Sequence, residues 1–134
     1  MADNGSTVIR AVVAAALVAA TTALMVVTFA TAQAAGALAI GACGAYGQAY
    51  DFPSANAATE RALSECKGQA CRVVTSFKRG CAAYAVDGTN PCGGHGWAHG
   101  PRLGAAQNAA LRGCYKDGGR DCVIRTFICD AKGG

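Results

Sequence analysis

The sequence predicts an α+β domain. It reads as a two-layer sandwich from a duplicated β-β-α-β unit, with a six-stranded, mainly antiparallel sheet, two helices on one face and disulfide staples. Three observations lead there. Cys43-Gly-Ala-Tyr-Gly-Gln-Ala-Tyr runs to Pro53, then Cys66 and Cys71, and Cys92-Gly-Gly-His-Gly-Trp-Ala-His runs to Pro101, then Cys114 and Cys122. Pro53 to Cys66 and Pro101 to Cys114 are both thirteen residues, with Ala58, Ala62 and Leu63 aligned on Ala106, Ala110 and Leu111. Such internal similarity marks repeated units that share a core. Within each copy, alternating apolar runs flank one stripe at helical spacing.

Residues 1–34 read as a leader outside the fold. Met1 to Arg10 is short and polar, Ala11 to Ala30 is apolar, and Ala32-Gln33-Ala34 has the small-residue pattern of a signal-peptidase site. The competing reading is an uncleaved anchor, since the run is about as long as a ~20-residue spanning helix. Its richness in Ala and Thr and the small residues that follow favour removal. The rest, about 100 residues, suits one domain made of a first repeat (35–80) and a second (81–134). All eight cysteines fall in it. An even count behind a secretory signal points to an oxidising compartment, so the protein is expected to be secreted or periplasmic.

Each element has a local reason. Gly36 to Ala42 alternates Leu38 and Ile40 with small residues, and Tyr46 to Phe52 is a second alternating run. Ser54 to Cys66 carries the stripe Ala55, Ala58, Ala62, Leu63 and Cys66, with Ser54 as N-cap and Gly68 as the left-handed stop. Arg72 to Lys78 is a strand rich in Val, Thr and Phe. The second repeat follows suit, with strands at Ala82–Asp87, His95–His99 and Cys122–Cys129. Its helix runs from about Arg102 to Lys116, with Gly104 costing about 1 kcal/mol inside it. Gly88 to Pro91 and Asp117 to Arg120 are turns.

Helix stripes made of Ala require close approach to the sheet. Gly47 and Ala49, and Gly96 and Ala98, are the small residues that permit it. Side chains alternate along a strand, so the opposite face then carries Tyr46, Gln48, Tyr50, His95, Trp97 and His99.

Eight cysteines allow on the order of a hundred pairings, and the repeat prunes them. Cys66–Cys71 and Cys114–Cys122 flank equivalent helix-to-strand turns. Cys43 and Cys92 are repeat mates that can meet only near a pseudo-two-fold axis. Cys81–Cys129 remains, both at strand ends. Cys71–Cys122 across the axis is the main alternative.

Cys92-x2-His95-x3-His99 has metal-like spacing, but in a strand His95 and His99 stand about 13 Å apart, against metal–nitrogen distances of about 2 Å. No metal site and no cofactor is expected. Ser54, Ser64 and Ser76 have structural readings, every cysteine has a disulfide partner, and the carboxylates are dispersed, so a small hydrolase is only a subsidiary alternative. The net charge of +4 comes from scattered cations, with no stripe suited to nucleic acid.

The aromatic-Gly-aromatic strands, the Ala-rich helix ending in Cys66, the following Cys71-Arg-Val-Val strand and Cys81-Ala-Ala-Tyr-Ala-Val together resemble the bacterial domain-of-unknown-function family 4189, over about Gly36 to Asp130. Ala57 departs from the acidic residue common there, and His95 and His99 replace aromatics. The resemblance implies secreted or periplasmic proteins and carries no established general activity. The expectation is therefore a non-enzymatic binding module whose aromatic face, Tyr46, Gln48, Tyr50, His95, Trp97 and His99, engages an envelope polymer. The alternative is a protein-directed effector or inhibitor scaffold presenting Asp87–Pro91 or Asp117–Arg120. A homo-oligomer covering the aromatic face is a further expectation, as is no membrane contact after leader removal.

Overall fold

The computed structural model describes Arg10 and residues 34–130, so the leader reading of residues 1–34 lies almost wholly outside the described residues. In chain order the strands are β1 (Ala35–Ile40), β2 (Tyr46–Phe52), β3 (Arg72–Phe77), β4 (Cys81–Asp87), β5 (His95–Gly100) and β6 (Cys122–Cys129). Helix α1 (Ala55–Glu65) follows β2, and α2 (Leu103–Lys116) follows β5. The duplicated ββαβ unit and the α+β class are therefore present.

The arrangement of layers differs from the single sheet expected. Each repeat forms its own three-stranded antiparallel sheet, ordered β2-β1-β3 and β5-β4-β6. The reason lies in the central strands. In β1, Ala35, Ala37 and Ala39 pack with Ala49, Ala58 and Ala62 under α1. In β4, Cys81, Ala83 and Ala85 pack with Ala106, Ala110 and Cys114 under α2. The alternate residues Leu38, Ile40, Tyr84 and Val86 meet Phe77, Ala82 and Ile128 in a third cluster between the two sheets. A strand apolar on both faces must be covered on both. The sheets therefore stack face to face and the helices lie on opposite outer faces, rather than two helices sharing one face. Strand β2 lies beside β6, and β5 beside β3, as a two-fold relation between the repeats requires. The Gln48 side-chain oxygen accepts from Thr126 Oγ1 at 2.7 Å, and Arg125 Nε donates to the Gly44 carbonyl at 3.3 Å.

Close helix approach is as the Ala stripes anticipate. A Cβ on Gly47 would stand 2.0 Å from the Ala62 carbonyl oxygen, and one on Gly96 2.3 Å from both the Ala110 carbonyl oxygen and the Cys114 nitrogen. Ser54 caps α1 by accepting from the Ala57 N–H at 3.1 Å. Gly68 does not act as the left-handed stop, because α1 closes at Cys66 in extended conformation. Gly68 is needed instead because a Cβ there would meet the Ala45 Cβ at 2.3 Å.

Four bridges close, and they are the four pairs singled out by the repeat. Cys43–Cys92 joins the two repeats, Cys81–Cys129 links β4 to β6, and Cys66–Cys71 and Cys114–Cys122 staple the helix-to-strand turns.

Candidate binding groove along the edge of β2

Among the described residues, strand β2 lies at the edge of its sheet, with β1 as its one hydrogen-bonded neighbour. Gly47 and Ala49 point to α1, which turns Tyr46, Gln48 and Tyr50 the other way. A groove of about 760 Å³ follows this strand, lined by Tyr46, Gln48, Tyr50, Phe52, Arg61 and Glu65 besides the two small residues. Because residues from both faces of β2 contribute, the groove follows the outer edge of the strand. Arg61 and Glu65 are one helical turn apart on α1 and form an exposed ion pair at 2.6 Å. Such a pair adds little stability, but it places a guanidinium and a carboxylate on the groove wall.

The side chains are held to different degrees. The Arg125 guanidinium sits 5.8 Å over the Tyr46 ring, and Gln48 is fixed by Thr126. Tyr50 is 56% exposed and offers an open ring face.

The structure does not bring the six expected residues together. His95, Trp97 and His99 lie on β5, one of the two edge strands of the other sheet, beside β3 and away from β2. The single uncovered platform is thus corrected to two separate rims of the sheet–sheet interface, because the face that carries these rings is the face the repeats bury against each other. His95 Nδ1 is 3.1 Å from Asp117 Oδ2, and the His95 backbone N–H donates to the same oxygen at 3.0 Å. Asp117 therefore clamps the start of β5 to the end of α2. His99 stacks on Phe77 at 5.0 Å, and its Nε2 lies 3.4 Å from the Arg79 carbonyl. Trp97 is 39% exposed. Cys92 is committed to its bridge with Cys43. Among the described residues, no three His, Cys, Asp or Glu side chains cluster as metal ligands.

Sequence reasoning missed Phe52, Arg61 and Glu65. The two charged residues carried a signal, an i, i+4 pair on the helix that Gly47 underlies. The Asp87–Pro91 turn was singled out, but not the role of Asp87, which is 6% exposed and accepts from Thr89 N–H (3.0 Å), Thr89 Oγ1 (2.8 Å), Asn90 N–H (3.3 Å) and Arg120 N–H (2.9 Å). These donors, the Arg120 amide foremost, hold its carboxyl far below the usual carboxylate range. The same bonds tie the Gly88–Pro91 turn to the Asp117–Arg120 turn.

Comparison with known proteins adds relatives without an assigned role. Protein Rv1269c of Mycobacterium tuberculosis (strain H37Rv) is 36% identical over 95 residues, covering 71% of this chain and 68% of the relative. Protein Mb1300c of Mycobacterium bovis matches to the same extent. No solved structure matches. The family described as Domain of unknown function (DUF4189) matches residues 35–129, which span both sheets, both helices and all four bridges. The chain belongs to that family.

Proposed function

We propose that this protein is an extracytoplasmic binding module, secreted or periplasmic, that engages an envelope polymer through the β2 groove without catalysing a reaction. The groove carries the reading. It combines an exposed ring at Tyr50, a second ring at Tyr46, an amide at Gln48 and an ion pair at Arg61 and Glu65 along one strand. Rings with neighbouring hydrogen-bonding groups suit glycan or glycopeptide surfaces. Four disulfides in so small a domain support an oxidising compartment. The non-catalytic reading is supported by the cysteines, all oxidised and so without a free thiol nucleophile.

Co-sedimentation with insoluble peptidoglycan tests this. The native chain and W97A are expected in the pellet, and Y50A in the supernatant with an unchanged melting temperature. Retention by Y50A alongside loss by W97A would overturn the β2 assignment.

A second reading has its own observation. Asp87 locks the exposed turn at 88–91 to the turn at 118–120, whose Gly118 and Arg120 are exposed, as a protein-directed scaffold would need. A stoichiometric protein complex lost on changing Asn90, with Y50A unaffected, distinguishes it from groove binding.

A further inference from the structure

We propose that the Cys43–Cys92 bridge is a reversible thiol-exchange site, opened by a low-molecular-weight thiol while the other three bridges stay closed. Exposure separates this pair from the rest. Cys43 and Cys92 are both exposed, whereas each other bridge contains at least one buried cysteine: Cys66, Cys81, or both Cys114 and Cys122. Exchange requires an incoming thiolate to reach a sulfur, so access decides which bridge reacts first.

Local chemistry points the same way. Cys43 has φ 54° and ψ 40°, the left-handed region in which a residue with a side chain is uncommon and costs energy. The following residue is held across the repeats, its Gly44 carbonyl accepting from Arg125 Nε at 3.3 Å. Opening the bridge frees Cys43 to leave that conformation, and the sulfur departs as a thiolate.

The thiolate of the incoming thiol bonds to Cys92 Sγ. The Sγ–Sγ bond breaks, and its electron pair departs with Cys43 Sγ, now a thiolate. The product is a mixed disulfide at Cys92. Attack by the Cys43 thiolate restores the bridge and expels the small thiolate. A second small thiolate instead gives the dithiol and the small disulfide.

Opening leaves both loops tied by their own bonds. Gly41 N–H donates to the Ala45 carbonyl at 2.8 Å and Ala42 N–H to the Gln69 carbonyl at 2.9 Å. On the other side, Asp87 N–H donates to the Gly94 carbonyl at 2.9 Å and Gly93 N–H to the Asn90 carbonyl at 2.8 Å. The two sulfurs therefore stay near each other, and closure remains intramolecular. Neither step depends on what fills the β2 groove.

The test incubates the oxidised full chain in graded reduced glutathione, quenches with acid, alkylates with N-ethylmaleimide and maps the peptides. Cys43 and Cys92 are expected to carry alkyl or glutathione label at concentrations at least about tenfold below those that open any other bridge. Far-UV circular dichroism should stay unchanged over that range. A C43S/C92S chain should fold and take no label there. Equal early labelling of any other pair, or no labelling of Cys43 and Cys92 until the whole domain unfolds, would overturn the proposal.

Discussion

At the residue scale, glycines and one aspartate set the sharpest requirements. A Cβ on Gly96 would meet backbone atoms of α2, which cannot move away as a side-chain tip can. G96A should therefore destabilise by about 2 kcal/mol or more, read as a lowered denaturant midpoint. Gly104, in the first turn of the same helix, has nothing within 4 Å of its Cβ position. G104A should stabilise by up to about 1 kcal/mol in the same measurement. For Asp87, four hydrogen bonds favour the charged form, so its carboxyl titrates lower when folded than the ordinary 3.8. Its contribution is full above that ordinary value and declines as pH falls below it, being lost on passing the lower folded value. D87N should accordingly lower the melting temperature clearly at about pH 7, with a smaller gap from the native chain at about pH 3. Equal gaps at the two pH values would count against this account of Asp87.

At the element scale, two kinds of strand divide the work. Central strands β1 and β4 are buried along their length, while edge strands β2 and β5 alternate small inward residues with large outward ones. The register of the edge strands was legible, because Ala-striped helices need Gly47, Ala49, Gly96 and Ala98 beneath them. What the outward residues face was not legible in the same way. Leu38 and Ile40, with Tyr84 and Val86, amount to a second apolar face on each central strand, and only the joint demand of all four calls for a second sheet. The turn into α1 from β2 shows another limit. Asp51 adopts φ 59°, and the pairing shifts register between Ala35 and Ala37. Nothing in the spacing of Tyr46–Phe52 marks that irregularity. Ser54 was legible from its position after Pro53, and S54A should cost about 1 kcal/mol of stability by chemical denaturation.

At the scale of the whole molecule, cross-links and the sheet–sheet interface act together. Cys43–Cys92 and Cys81–Cys129 close intervals of 49 and 48 residues, against 5 for Cys66–Cys71. Loop entropy gives about 4 kcal/mol for each long bridge and about 2 for the short one. A C81A/C129A chain should therefore lose about 2 kcal/mol more than a C66A/C71A chain, before counting the cavity left at buried Cys81. The pairing was legible because the duplication restricts which cysteines can be equivalent. The candidate site was legible in part. Tyr46, Gln48 and Tyr50 line the groove, whereas His95, Trp97 and His99 belong to the opposite rim, since stacking of the sheets separates the two edge strands. The separation also sets what each variant reports: Tyr50 probes the groove, and Trp97 serves as an exposed aromatic control at a distance.

The most direct measurement of the central claim is amide chemical-shift mapping of the full chain titrated with soluble peptidoglycan fragments. Groove binding predicts perturbed amides confined to Tyr46–Phe52 and the neighbouring turn of α1 around Arg61 and Glu65. Perturbations confined to residues 88–91 and 118–120, or to His95–His99, would contradict it, as would no perturbation at any fragment concentration.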